Sequence, residues 1–100
     1  MNSVEDLVSS VDGGREPPDG LAPALLALWL AKKDRWHDAH EVAQDIDTPM
    51  GSWIHAYLHR VEGDLGNAGY WYRRAGKPEK SSREGLDEKW KEIVTVALEI

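Results

Sequence analysis

The chain contains no cysteine, so it can form neither a disulfide nor a thiolate metal site. That fits a reducing compartment, and the cytoplasm is the expected location. Phenylalanine is absent too, and the aromatic content rests on five Trp and three Tyr. These rings bury an apolar body while keeping an N–H or O–H near a partner, which suits filling the core of a thin helical array. Positive charge is scarce: 12 Lys and Arg stand against 18 Asp and Glu, for a net charge of −6. A nucleic-acid partner is not expected, because a phosphate-tracking surface needs a basic stripe. The one basic cluster, Arg73, Arg74 and Lys77, belongs at a helix C-terminus. No apolar run is long enough to span a bilayer, since the longest covers only residues 21–31. Residues 1–12 are acidic and lack the apolar core of a secretory signal. At 100 residues the chain is sized for one domain with a limited core.

What is present centres on residues 53–76, WIHAYLHRVEGDLGNAGYWYRRAG. Ile54, Tyr57, Leu58 and Val61 fall at i, i+3, i+4 and i+7, one apolar stripe of a helix. Gly63 stands where a positive φ is expected past a helix end, and Asp64 is placed to cap the next helix. Leu65, Ala68, Tyr72 and Ala75 form the second stripe. Arg73 and Arg74 suit its C-terminal dipole, and Gly76 and Pro78 stop it. The segment also aligns with the chain upstream: Ala68 falls on Ala39, an offset of 68 − 39 = 29 residues. At that offset Leu65 meets Trp36, Ala56 meets Ala27, Ile54 meets Leu25 and Pro78 meets Pro49.

A two-helix repeat of this length is the mark of an α-solenoid unit. With Gly63-Asp64-Leu65, Ala68, Tyr72 and Ala75, the second copy resembles the tetratricopeptide (TPR) motif. The resemblance covers about residues 23–78 and departs from the family in three respects. The unit is shorter than the usual ~34 residues, its prolines come early, and the aromatic of the first helix is displaced. Residues 53–76 also resemble small uncharacterised proteins, which supplies no function. The TPR resemblance implies helical hairpins that present a groove to a peptide or protein partner.

Three segments result, giving an all-α fold read as five helices: an α-solenoid fragment or small helical bundle of TPR-like antiparallel hairpins. Residues 1–20 hold a short helix, capped by Ser3 and striped by Val4, Leu7, Val8 and Val11, then the linker GGREPPDG. Residues 21–78 hold the two hairpins. In the first, a helix apolar nearly all round (Leu25, Leu26, Leu28, Trp29, Leu30) belongs in the middle of the bundle. Asp34 is expected to cap its partner, and Thr48 the helix that begins at Pro49. Residues 79–100 hold an amphipathic helix with Leu86, Trp90, Ile93, Val94, Ala97 and Leu98, preceded by a capping box of Ser81 and Glu84. It is expected to cap the last repeat. Gly66 and Gly69 are expected to admit close packing, under Trp90.

All four histidines lie in the hairpins. His37 and His40 are i, i+3 with Glu41 beside them, and His55 and His59 are i, i+4 on the next helix. An i, i+4 pair can hold one metal ion, and antiparallel neighbours can bring both groups together. A divalent-metal site, zinc for example, would use His40, Glu41, His55 and His59. A metal-free groove would use His37, His40, Glu41, His55 and His59 with Tyr57 and Trp71. The plain alternative is imidazoles that shield a core edge, each satisfied by a local partner. No metalloprotease helix, nucleophile elbow, phosphate loop or dinucleotide fingerprint occurs, so no catalytic residue is assigned and an enzyme is not indicated. The leading expectation is a non-catalytic interaction module for a peptide or protein, with a homo-oligomer left open. The alternative is a small metal- or ligand-binding protein, catalysis left open, built on the four histidines.

Overall fold

The structure is a computed structural model that describes residues 3–78 and 84–99. Among the described residues the chain forms six α-helices: α1 Val4–Gly13, α2 Pro23–Lys32, α3 Trp36–Gln44, α4 Pro49–Glu62, α5 Leu65–Ala75 and α6 Leu86–Leu98. The expected parts, one N-terminal helix, two two-helix hairpins and one C-terminal helix, already make six, so the figure of five was an undercount.

Local chemistry sets most of the boundaries. Ser3 accepts from the Asp6 amide at 3.1 Å and opens α1. Gly63 ends α4 at φ 87°, and Asp64 opens α5 by accepting from the Asn67 amide at 3.3 Å. Gly76 ends α5 at φ 71°. Two expected caps differ. Asp34 is left-handed at φ 67° and closes the turn after α2, so Arg35 takes the N-cap position of α3. Thr48 does precede α4 at the N-cap, but its side chain makes no cap bond. Of the expected capping box, Ser81 lies outside the described residues, and α6 starts after Gly85 at φ 74°.

The apolar content of α2 places it among α1, α3, α4 and α6, with Leu28 and Trp29 fully buried. Helix α4 packs on α2, α3, α5 and α6. Its first turn lies so close to the loop after α3 that a Cβ on Gly51 would run into the Ile46 carbonyl. Only glycine permits that approach of the loop to the start of α4. Ala39 and Ala68, at the hairpin contacts, are both fully buried.

The terminal helices cover the outside of this pair. Leu7 and Val11 dock α1 on α2, where Ser10 Oγ accepts from the Trp29 indole at 3.1 Å and Lys33 Nζ donates to the Val11 carbonyl at 2.8 Å. Among the described residues α6 packs on α1, α2 and α4, not on α5. Trp90 is fully buried and donates to the Leu28 carbonyl at 2.9 Å, tying α6 to α2. The terminal helix thus seals the first helices of both hairpins rather than the last repeat alone. Gly66 accordingly faces open space instead of sitting under Trp90, whereas Gly69 is buried. No described helix is long and apolar enough to cross a membrane.

A three-histidine candidate site

Three of the four histidines meet at the α3–α4 seam. His40 comes from the middle of α3, and His55 and His59 come from successive turns of α4. Ring centroids lie 4.5 Å apart for His40 and His55, 4.8 Å for His55 and His59, and 5.5 Å for His40 and His59. Each ring offers a nitrogen, and the three nitrogens all lie within 4.8 Å of one another. His55 and His59 are each only 6 % exposed.

Two indoles close the cluster from either side. Trp71 of α5 stacks on His55 at 3.9 Å and 14°. Trp36 of α3 stacks on His40 at 5.0 Å and touches His59 edge-on at 6.0 Å. The Trp36 N–H donates to the Leu58 carbonyl at 2.6 Å, which fixes that indole against α4.

The ring nitrogens divide sharply in their partners. His59 Nδ1 lies 2.7 Å from Glu62 Oε1. A carboxylate can only accept, so the Nδ1–H donates to Glu62. Neither His40 nor His55 makes a ring hydrogen bond to any described residue. Burial drives the His55 pKa down to about 4, aided by His40 and His59. Burial and His59 push the His40 pKa down as well. Both rings are therefore neutral at pH 7, the form that donates a lone pair to a metal.

The remaining expected residues lie elsewhere. His37 is on the outer face of α3, its side chain 80 % exposed, and pairs with Glu41 at 3.5 Å. Glu41 also accepts from Gln44 at 3.3 Å and is not in the three-histidine group. Tyr57, two residues past His55, projects to another side of α4. It is buried near Arg60, Tyr72 and Asp87, and desolvation followed by Asp87 pushes its pKa up to about 12. Of the expected groove, His40, His55, His59 and Trp71 come together, while His37, Glu41 and Tyr57 do not. Trp36 and Glu62 are the additions. Glu62 lies at i+3 from His59, a spacing that puts both on one flank of α4.

Chemically, the cluster is three imidazoles with a carboxylate behind one of them. A second group, His59, Glu62 and Asp64, has ligand atoms equally close. Asp64 is engaged as the cap of α5 and Glu62 is hydrogen-bonded to His59, so this group reads as support for the first. Compared with known proteins, the chain matches no family model, no curated protein and no solved structure.

Proposed function

We propose that this is a small metal-binding protein whose site is His40, His55 and His59. The observation that carries the reading is the convergence of three imidazoles, two of which have no hydrogen-bond partner among the described residues. Rings that merely shield a core edge would point apart and find local acceptors. A tetrahedral ion with nitrogens at ~2.0–2.1 Å separates its ligands by roughly 3.3 Å, so closing the group takes shifts of under ~1 Å per ring. Nitrogen donors without thiolate favour zinc, copper or nickel over magnesium or calcium. Three protein ligands leave a fourth position for water or a substrate, the arrangement of catalytic rather than structural zinc. Glu62 would orient His59 and raise its basicity from behind.

The test is zinc titration of protein purified without a His-tag, followed by calorimetry and thermal melting. Zinc should raise the melting temperature by mass action on the folded state, and His55→Ala/His59→Ala should lose the response while keeping its helical circular dichroism. An equal rise in the double variant would contradict the site.

A second reading rests on a separate observation. A cavity of about 510 Å³, lined by Leu21, Leu26, Val42, Ile46, Met50 and Ala97, opens between the hairpins and α6. An apolar recess on a helical bundle favours an interaction module that binds a peptide or protein through an aliphatic anchor. Failure of the metal test together with peptide capture at this recess would put that reading first.

A further inference from the structure

Next to the histidines lies a second cavity of about 520 Å³, lined among others by Asp45, Asp47, Thr48, Ser52, Trp71 and Arg74. It abuts the three-histidine site directly. Trp71 is the indole that stacks on His55, and Ser52 precedes His55 by one turn of α4. Its charges carry the information. Arg74 is held over the rings of Tyr70 and Trp71 and donates to the Tyr70 hydroxyl at 3.2 Å. It has no carboxylate partner among the described residues, and neither Asp45 nor Asp47 has a cationic one. Opposite charges thus line one hollow without pairing with each other.

Unpaired groups of opposite sign across a hollow are complementary to a ligand that carries both signs. The guanidinium suits a carboxylate, which it can hold in a fork of two N–H donors. The two aspartates suit an ammonium, and the Thr48 and Ser52 hydroxyls can serve either end. The Thr48 hydroxyl is not spent on capping α4. Asp45, Ile46 and Thr48 also line the apolar cavity, so the two hollows share a wall. A ligand with its charged ends beside Arg74 and Asp47 could therefore extend an aliphatic side chain towards Leu26, Val42 and Met50.

We propose that the charged cavity binds a small zwitterion, an amino acid or dipeptide bearing an aliphatic side chain, alongside the three-histidine site. This deepens the metal-site reading by naming the substrate class. It rests on that reading only for what happens to the ligand, because the binding groups are separate from the metal ligands.

The experiment uses the full chain in excess chelator, so that no metal takes part. Glycyl-leucine is titrated and followed by amide chemical shifts, beside N-acetyl-glycyl-leucine, glycyl-leucinamide and glycylglycine. Glycyl-leucine is expected to bind at least about tenfold more tightly than either end-blocked peptide, since each block removes one charge-assisted contact. It should also exceed glycylglycine. Arg74→Gln should cost about tenfold against glycyl-leucine and nothing against the amide, a cycle that isolates the guanidinium–carboxylate contact from any effect on folding. Asp47→Asn should mirror it with the acetylated peptide, and His55→Ala should retain peptide binding. Equal affinities for all four peptides, or no shifts at millimolar concentrations, would overturn the proposal. Either outcome leaves the zinc titration to stand or fall separately.

Discussion

Helix α4 is buried on two sides in opposite ways. Towards α2 and α6 it meets hydrocarbon: Ile54, Leu58, Leu28, Ile93 and Val94 are fully buried, with Trp90 satisfied by the Leu28 carbonyl. Towards α3 and α5 it meets imidazole and indole, and the His40 and His55 rings make no hydrogen bond among the described residues. Apolar packing stabilises at roughly 25 cal/mol per Å² of buried surface; among the described residues the one fully buried side-chain N or O atom without a partner is Trp53 Nε1, so the histidine nitrogens keep some contact with solvent. One seam holds the bundle together. The other gathers three imidazoles and two indoles instead of hydrocarbon.

The largest effect should come from breaking the apolar seam. Trp90→Ala removes a fully buried ring and should cost about 3–5 kcal/mol, a large share of the ~5–15 kcal/mol available to a small domain. His55→Leu on the other seam should cost under about 1 kcal/mol or stabilise, because it replaces a desolvated imidazole with hydrocarbon. Urea unfolding of both variants checks the contrast, and equal losses would erase it.

The next effect is a pH dependence confined to the histidine seam. His55 has its pKa lowered from 6.5 to about 4 in the folded state. Above pH 6.5 both states are neutral and the group adds no pH dependence. Between 6.5 and 4 the unfolded chain takes up the proton first, so stability falls as pH falls, and the loss is complete below about 4. The full shift converts to ~3 kcal/mol, and about 2 kcal/mol is expected because water screens the rim of the cluster. Unfolding free energies in chelator at pH 7.5 and 4.5 measure it, and His55→Leu should flatten the slope. An unchanged slope in that variant would move the titration to another group.

Much of this contrast was legible in the chain. Gly63 and Asp64 announce their turn by residue type, and Gly76 announces the end of α5. The i, i+4 spacing of His55 and His59 puts both rings on one face of α4 wherever that helix packs. Long-range placement was not legible. The amphipathic stripe of α6 shows that it packs, but not that Trp90 seeks the Leu28 carbonyl 62 residues away. The stripe of α4 includes Tyr57 and gives no sign that it turns away from the histidines. Nor does periodicity mark Arg60, a cation only 1 % exposed that donates to the Tyr72 hydroxyl at 3.0 Å and the Glu84 carbonyl at 2.7 Å. Its burial depends on partners that come later in the chain. Asp34 looked like a cap because Asp favours that position, yet Asp also tolerates the left-handed turn it occupies.

Two smaller effects sharpen the comparison within the histidine seam. Glu62→Gln keeps the shape of the side chain but removes the charge behind His59, and should weaken zinc binding by about 10–100-fold. An unchanged affinity by calorimetry would make the contact at 2.7 Å incidental. The smallest effect belongs to the histidine outside the cluster. His37→Ala should change stability by under about 0.5 kcal/mol, as exposed pairs contribute little, and should leave zinc affinity untouched.

Zinc X-ray absorption on the untagged, zinc-loaded protein distinguishes a metal site at the polar seam from a core edge. A metal site gives nitrogen ligands at ~2.0–2.1 Å with the multiple-scattering pattern of three imidazoles, one of which disappears in each of His40→Ala, His55→Ala and His59→Ala. A zinc environment without imidazole scattering, or one unchanged in all three variants, would contradict it.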